Sequence, residues 1–82
     1  MKFGYSFFEE EIMIMRQYGL VDGESLYLEL SNDELDKLYW KAAYLSKSAY
    51  LFGDRKKFRL LANRIRLLVD PDFITSHPLV GQ

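Results

Sequence analysis

The sequence predicts a small, mainly α protein in which an antiparallel helical hairpin is accompanied by one N-terminal helix. Two long segments, about 31–52 and about 54–69, carry apolar residues every three or four positions, which is the period of a helix with one buried face. Almost no chain separates these segments, so the two helices must run antiparallel. The 82 residues are 49% apolar with a net charge of −1, which suits a single helical bundle over 1–82 better than a disordered chain.

The N-terminal helix is expected from about residue 6 to residue 18. Ser6 is followed three positions later by Glu9, which is the spacing of a capping box. At the other end, Gly19 is typical of a left-handed helix C-cap. A strand through Ile12–Met15 is the alternative, since that short apolar run has no period that separates a strand from a helix.

The segment 21–30 is open to more than one interpretation. Its leucines at positions 26, 28 and 30 alternate with Tyr27 and Glu29, as in a half-buried strand. Such a strand needs a partner, which Ile12–Met15 or another chain would supply; an extended segment or a short helical turn from Ser25 is the other possibility. Residues 1–30 are therefore predicted as an N-terminal helix with a linker or strand, followed by the hairpin over 31–69 and a tail over 70–82.

The middle helix has the clearest signals in the chain. Ser31 and Glu34 form a second capping-box pattern, and Gly53 is expected to end the helix as its left-handed residue. Between them, a seam of apolar residues steps by three and four positions and is expected to face the next helix. The seam consists of Leu35, Leu38, Ala42, Leu45, Ala49 and Phe52.

The third helix is expected to begin at Asp54 as its N-cap and to end before Asp70-Pro71, because proline cannot continue a helix. It repeats the seam of the middle helix with Phe58, Leu61, Ile65 and Leu68. In the tail, four apolar residues are expected to anchor the chain against the hairpin: Phe73, Ile74, Leu79 and Val80.

The face of the middle helix opposite the seam is also apolar and includes Trp40, Tyr44 and Leu51. A helix that is apolar all round is either central in its domain or covered by a partner. One interpretation is that the N-terminal helix and the segment 26–30 pack on this face. The other is an interface with a second subunit or a target protein, since tyrosine, tryptophan and arginine dominate interface hot spots.

Positive charge is concentrated in the third helix. Residues 1–53 carry five basic and nine acidic side chains (net −4), whereas residues 54–82 carry six and three (net +3), with all six basic residues inside 55–66. A solvated helix face that balances the acidic first half is one interpretation, and a nucleic-acid-binding face is another. The small net charge, and the interruption of the arginines by Leu60 and Leu67, make nucleic acid the less favoured partner.

The sequence contains no recognisable catalytic motif, and we expect a protein without enzymatic activity or cofactor. His77, the single histidine, is predicted to be a surface residue of the tail. Acidic runs at 9–11 and 70–72 lack the ligand spacing of a calcium loop, so no metal site is predicted. The absence of cysteine, of an apolar run long enough to span a membrane and of a signal-peptide pattern suggests a cytoplasmic protein that does not contact membrane.

Part of the hairpin resembles a known family. The matching stretches are Leu30-Ser31-Asn32-Asp33-Glu34-Leu35, Tyr39-Trp40-Lys41-Ala42, Lys57-Phe58 and Asn63-Arg64-Ile65-Arg66. They are similar to motifs of the Sda-type sporulation-checkpoint inhibitors, which open their hairpin with Leu-Ser-Asp-Glu-Leu followed by Tyr-Phe-Lys-Ala. The resemblance covers residues 30–68; this chain adds an N-terminal region and lengthens the middle helix, and Lys57 stands where the family has aspartate.

The resemblance implies a bacterial signalling protein that binds the dimerisation and phosphotransfer domain of a sensor histidine kinase and inhibits its autophosphorylation. It also implies that the closed end of the hairpin presents an aromatic side chain to the kinase. We therefore expect a small non-enzymatic regulator or inhibitor, acting on a histidine kinase during sporulation or, as a phage protein, on a host target. A nucleic-acid-associated accessory protein using helix 55–66 and a self-assembling structural component, possible as a homodimer, are the alternatives. The predicted partner-binding residues are Trp40, Tyr44, Leu51, Phe52, Phe58, Arg55, Arg59 and Arg66.

Overall fold

A computed structural model describes residues 1–68 and 71–81 and has a mainly α architecture, as the sequence predicts, with a small antiparallel sheet that was not expected. In chain order the elements are β1 (Lys2–Ser6), α1 (Glu9–Gln17), β2 (Tyr27–Ser31), α2 (Asn32–Ser48), α3 (Phe52–Ile65) and α4 (Pro71–Ser76). Helices α2 and α3 form the hairpin, and α1 packs against α3.

Helix α1 begins three residues later than predicted. Its N-cap is Phe8, whose backbone N–H donates to Glu11 Oε1 at 2.7 Å. Ser6 is therefore not a helix cap, as its spacing to Glu9 suggested, but the last residue of β1. The predicted C-cap is confirmed, because Gly19 has φ of 76° and the next N–H, of Leu20, donates to Met15 O at 2.8 Å, as in a Schellman motif.

The sheet settles the interpretation of segment 21–30. Its last part, β2, is a strand, but its partner is β1 rather than Ile12–Met15, which is helical. The register pairs Phe3 with Leu30 and Tyr5 with Leu28. Tyr5, Leu28 and Leu30 pack against the core, whereas Phe3 is 47% exposed. A two-stranded ribbon is marginal alone, and this packing stabilises it.

Helix α2 starts as predicted. Ser31 N–H donates to Glu34 Oε1 at 2.9 Å, and Glu34 N–H donates to Ser31 Oγ at 3.1 Å, which completes the capping box. The Ser31 N–H, together with the Lys2 ammonium 3.3 Å from Glu34, holds the pKa of the Glu34 carboxyl below its usual range. The cap also fixes the direction in which β2 leads into the hairpin.

The boundary between α2 and α3 differs from the prediction. Helix α2 ends at Ser48 instead of residue 52, and α3 begins at Phe52, so Gly53 lies inside the first turn of α3 and does not end α2. The N-cap of α3 is Leu51, which leaves Asp54 as the third helical residue rather than the cap. Its buried carboxylate instead accepts a hydrogen bond from Tyr18 Oη at 2.8 Å.

Helix α3 ends at Ile65, earlier than the predicted residue 69. The chain continues as a tight turn, in which Leu67 N–H and Leu68 N–H each bond a carbonyl three residues back, at 3.0 Å. The predicted helix end at residues 69 and 70 lies outside the described residues.

The core lies where α1, α2 and α3 meet, and most of the predicted seam is buried there. Its fully covered members are Leu35, Leu38, Ala42, Ala49, Phe58, Leu61 and Ile65, joined by Ile12, Ile14, Met15 and Tyr39. Leu45 and Leu68 are partly buried at its edge. Phe52 departs from the prediction, since it is 82% exposed and takes no part in the seam.

Leu60 and Leu61 are neighbours on α3 with opposite environments, since Leu61 is 1% exposed and Leu60 is 57% exposed. We expect Leu61→Ala to lower the free energy of unfolding by about 2–5 kcal/mol, because it leaves a cavity in the core. Leu60→Ala, measured in dilute protein, should change it by about 0.5 kcal/mol or less. Urea unfolding followed by circular dichroism measures both; equal losses would show that the core is misassigned.

Candidate functional site

The connection between α2 and α3 exposes three consecutive large side chains, which we call the turn surface. Tyr50 is 89%, Leu51 61% and Phe52 82% exposed. Large apolar side chains exposed side by side are a common mark of a protein-binding site. Two of them, Leu51 and Phe52, belong to the predicted partner-binding set.

The backbone of this turn is held by hydrogen bonds. Leu51 O accepts from both Asp54 N–H and Arg55 N–H at 3.1 Å, which forms the first turn of α3. Arg55 Nε donates to Ala49 O at 2.7 Å, and its guanidinium lies 4.8 Å from the centre of the Phe52 ring. The predicted interface residue Arg55 thus contacts this chain's own turn and supports the exposed Phe52 ring.

Behind the turn, Tyr18 connects it to α1. Its ring stacks on Tyr50 at 5.9 Å and meets the buried Phe58 edge-on at 4.9 Å. Burial, and then the hydrogen bond to the Asp54 carboxylate, raise the pKa of the Tyr18 hydroxyl. The predicted site residue Phe58 is 0% exposed, so it belongs to the support of the turn and is not part of the surface that a partner reaches.

The outer face of α2 is only partly covered, and not by the elements that were expected to cover it. Trp40 is 47% and Tyr44 70% exposed, one helical turn apart on the same face. Tyr39 beside them is 0% exposed, and its ring contacts Phe73 and His77 of the C-terminal segment. The cover on this side is therefore residues 73–80 and not α1.

His77 is a core residue of the C-terminal segment, so the prediction of a surface histidine is wrong. It is 5% exposed and stacks on Phe73 with ring centres 3.5 Å apart. Its Nε2 donates to Asp36 Oδ1, and its Nδ1 lies 2.8 Å from both Phe73 O and Ser76 Oγ. These partners occupy both ring nitrogens and leave the imidazole a structural role.

Further contacts fasten the tail to the hairpin. Asn63 bonds the backbone of Val80 in both directions, at 2.9 and 2.7 Å, and Arg66 Nε donates to His77 O at 2.8 Å. The predicted anchors Phe73 and Val80 are confirmed, since both pack on the core. Leu79 is 67% exposed and is not an anchor, and the side chain of Ile74 and residues 70–72 lie outside the described side chains.

Three of the six basic side chains at 55–66 are engaged within the chain. Arg64 donates to both oxygens of Glu11 at 2.5 and 2.6 Å and to Ser6 O at 2.9 Å. Arg55 and Arg66 bond backbone carbonyls, as described above, and Arg59 is half-buried. The predicted interface residues Arg55 and Arg66 are therefore attached to the turn and the tail.

A groove between α1 and α3, with a volume of about 410 Å³, has a mainly apolar lining. Its apolar lining includes the exposed side chains of Phe8, Leu60 and Leu67. The sequence pattern identified the contribution of α3 to this groove, because Leu60 and Leu67 lie opposite the seam of that helix. The contribution of Phe8 depends on where α1 packs and could not be found from a local pattern.

Two observations concern metals and membranes. Among the described residues, no three histidine, aspartate or glutamate side chains lie together in a way that would hold a metal ion. Within the same ranges, no helix combines the length and apolar character needed to cross a membrane.

Comparison of the chain with protein-family models, curated proteins and solved structures finds no match.

Tyr39 gives the fold a predictable response to alkaline pH. Its hydroxyl donates to Pro78 O, and burial raises its pKa, with a smaller opposing effect from Arg66. The unfolded chain releases this proton near pH 10 and the folded chain only at higher pH, so the contribution of Tyr39 to stability is full below pH 10 and is lost as the pH rises above it.

We therefore expect the free energy of unfolding to fall less steeply above pH about 10 in Tyr39→Phe than in the unmodified protein. The variant itself should be less stable at neutral pH, because Pro78 O loses its donor. Urea unfolding at neutral pH and across the alkaline range measures both effects. Tyr44→Phe, whose side chain is 70% exposed, is the matched control. Equal alkaline slopes for all three proteins would contradict the assignment.

Proposed function

We propose that this protein is a small non-enzymatic regulator that acts by binding a partner protein through the turn surface, Tyr50, Leu51 and Phe52. The observation that supports it most is that these three side chains are exposed on a backbone fixed by hydrogen bonds. A fixed turn loses little conformational entropy on binding, so its exposed apolar area can contribute to affinity. None of these three side chains is among the buried core residues, so packing of the core does not account for them.

The exposed pair Trp40 and Tyr44 extends the proposed interface to the outer face of α2. Trp40 packs edge-on against Tyr39 at 4.9 Å and lies 5.6 Å from His77, which fixes the indole while leaving 47% of it open. Partly supported tryptophan and tyrosine side chains are typical of interface hot spots. The position of Trp40 thus depends on the docked tail as well as on α2.

The kind of partner is proposed from the resemblance to the Sda-type inhibitors. It suggests a bacterial sensor histidine kinase in the cytoplasm, whose autophosphorylation this chain would inhibit; a host protein bound by a phage protein is the other form of the same proposal. In support, an exposed aromatic side chain, Phe52, stands at the closed end of the hairpin, where the family presents one.

Protein is also favoured over nucleic acid by the arginine contacts. Arg55, Arg64 and Arg66 make hydrogen bonds to acceptors of this chain, so the stripe that phosphates would follow is interrupted. Backbone phosphate binding relies on several free cations along one path. Salt-sensitive binding to DNA or RNA at physiological salt would contradict this part of the proposal.

Phe52 and Phe8 provide a matched test of the turn surface, since both are exposed phenylalanines, at 82% and 66%. They lie at opposite ends of α3, because Phe52 begins this helix and Phe8 contacts Arg64 near its end. We expect Phe52→Ala to cost about 2 kcal/mol or more of binding energy, roughly a 30-fold loss of affinity, as a hot-spot residue does. Its melting temperature should stay close to that of the unmodified protein. Phe8→Ala should leave binding unchanged.

The measurement is capture from a bacterial lysate by immobilised protein, with mass-spectrometric identification, followed by titration of the purified target. A panel of sensor histidine kinases, assayed for autophosphorylation, tests the narrower proposal. Inhibition of one kinase that Phe52→Ala loses and Phe8→Ala keeps would support it. If the target is bound equally by both variants, the turn surface is not the interface.

Trp40→Ala tests the outer face of α2 separately. We expect weaker binding with a change in unfolding free energy of about 1 kcal/mol or less, because half of the indole is already in solvent. Leu38→Ala, on the buried side of the same helix, should instead lose about 2–5 kcal/mol of stability. If Trp40→Ala unfolds the protein as readily as Leu38→Ala, then Trp40 belongs to the core beneath the tail.

A further inference from the structure

The two outer edges of the β1–β2 sheet differ in how far the chain itself closes them. In an antiparallel pair, backbone groups that bond the partner strand alternate with groups that point away from it. Phe7 N–H donates to Leu26 O at 2.7 Å, so these residues form a hydrogen-bonded pair just beyond the strands. Counted back along the register, every second residue of each strand then points its N–H and C=O outward. These residues are Lys2, Gly4 and Ser6 of β1, and Tyr27, Glu29 and Ser31 of β2.

The outer edge of β2 is largely closed by local hydrogen bonds. Ser25 Oγ accepts from Tyr27 N–H at 3.2 Å and donates to Tyr27 O at 3.0 Å. Ser31 N–H donates to Glu34 Oε1 in the capping box. Within the described part of the chain, these bonds leave Glu29 alone between two occupied positions. Native sheets commonly protect an edge from pairing with other chains, and β2 is protected in this way.

The outer edge of β1 is open. Four of its five residues are exposed, and Tyr5 is half-buried. Arg64 donates to Ser6 O at 2.9 Å, but nothing in residues 1–68 or 71–81 bonds the outward N–H and C=O groups of Lys2 and Gly4. With Ser6 N–H, these groups form a short row of unpaired backbone donors and acceptors at the spacing of a strand.

Side chains on both faces of the sheet reach this open edge. On the core side, Phe3 is 47% exposed beside the half-buried Tyr5, which leaves apolar area for an added strand to cover. On the other side, the Tyr27 ring lies across Gly4, because a Cβ built on Gly4 would overlap the Tyr27 hydroxyl. The Tyr27 hydroxyl therefore occupies the place of a side chain at position 4, within reach of a residue on a neighbouring strand.

We infer that the open edge of β1 binds an extended segment of a partner protein, which joins the sheet as a third strand. The backbone of this segment bonds Lys2 and Gly4. One of its side chains is apolar and covers Phe3, and the side chain opposite Gly4 is polar and meets the Tyr27 hydroxyl. The expected ligand is thus an extended peptide in which apolar and polar residues alternate.

The chemistry of the edge selects this kind of ligand. A helix uses its backbone N–H and C=O groups internally, whereas an extended backbone presents them outward at the spacing that β1 offers. The site is also distinct from the turn surface. Arg64, which bonds the end of β1, lies near the end of α3, and Phe52 begins that helix. The inference therefore goes beyond the proposed function and does not depend on it.

Proline at position 4 tests the edge, because proline lacks the N–H and is tolerated where that N–H points out of a sheet. A displayed library of random peptides is depleted on Gly4→Pro and then selected on the unmodified protein, which removes peptides that bind elsewhere. We expect the selected peptides to bind Gly4→Pro about tenfold or more weakly than the unmodified protein. Circular dichroism checks that the variant is folded.

Three control variants separate the edge from other effects. Gly4→Ala displaces the Tyr27 hydroxyl in the same way but keeps the N–H, so it should lose less affinity than Gly4→Pro. Glu29→Pro makes the same backbone change on the closed edge and should leave affinity unchanged, as should Phe52→Ala on the turn surface. If Gly4→Pro does not fold, Lys2→Pro replaces it at the first residue of β1, with Lys2→Ala as its control.

Amide hydrogen exchange measured by NMR shows where the peptide binds. In the free protein, Gly4 N–H should exchange rapidly and the neighbouring Tyr5 N–H slowly, because only Tyr5 bonds β2. The bound peptide should slow exchange at Gly4 and leave Glu29 unchanged. A depleted library that yields no binder would overturn the inference, and so would equal losses in Gly4→Ala and Gly4→Pro or unchanged exchange at Gly4. Protection of Gly4 that grows with protein concentration in the free protein would assign the edge to a second copy instead.

Discussion

Attachment to α3 is the constraint on which the rest of the structure depends. One side of this helix supplies Phe58, Leu61 and Ile65 to the core it shares with α2. Its polar side chains then fasten the surrounding elements in place. Asp54 and Arg64 hold α1 and β1 through Tyr18, Glu11 and Ser6 O, and Asn63 and Arg66 hold the tail through Val80 and His77. An 82-residue chain has room for only a thin core, so these cross-links position elements that apolar packing alone would leave loose.

This constraint accounts for three of the six basic residues at 55–66, Arg55, Arg64 and Arg66. The sequence alone left that cluster open between a solvated face and a binding face. Arg64 is the clearest case: a planar guanidinium can bond both oxygens of Glu11 and a backbone carbonyl at once, whereas a lysine ammonium cannot match that geometry. Its guanidinium also lies 4.7 Å from the centre of the Phe8 ring. The charge asymmetry between the two halves of the chain is therefore partly an internal pairing between α1 and α3.

The features that local sequence could predict are those that local chemistry determines. The Ser31–Glu34 capping box, the Gly19 C-cap and the buried seam each depend on residues within a turn or two of one another. The misplaced features depend on distant partners. β1 forms because Phe3 and Tyr5 meet Leu30 and Leu28, more than twenty residues away. Asp54 was expected to be an N-cap, but its carboxylate accepts a hydrogen bond from Tyr18 Oη, and α3 begins two residues earlier. His77 is buried because Asp36 and Tyr39 lie across from it.

The same distinction decides which parts of the candidate site were visible in the sequence. Trp40, Tyr44, Leu51 and Phe52 remain exposed because each lies off the seam or in the turn, and heptad spacing identifies all of them except Phe52. By its spacing from Ala49, Phe52 would be the next seam residue. Helix α2 ends at Ser48, however, so the helical spacing no longer applies at position 52. The early end of α2 thus turns an expected core residue outward. Arg55 Nε donates to Ala49 O just beyond the end of α2, and its guanidinium covers one side of the Phe52 ring. The side chain that bonds the end of α2 therefore also holds the exposed aromatic ring in position.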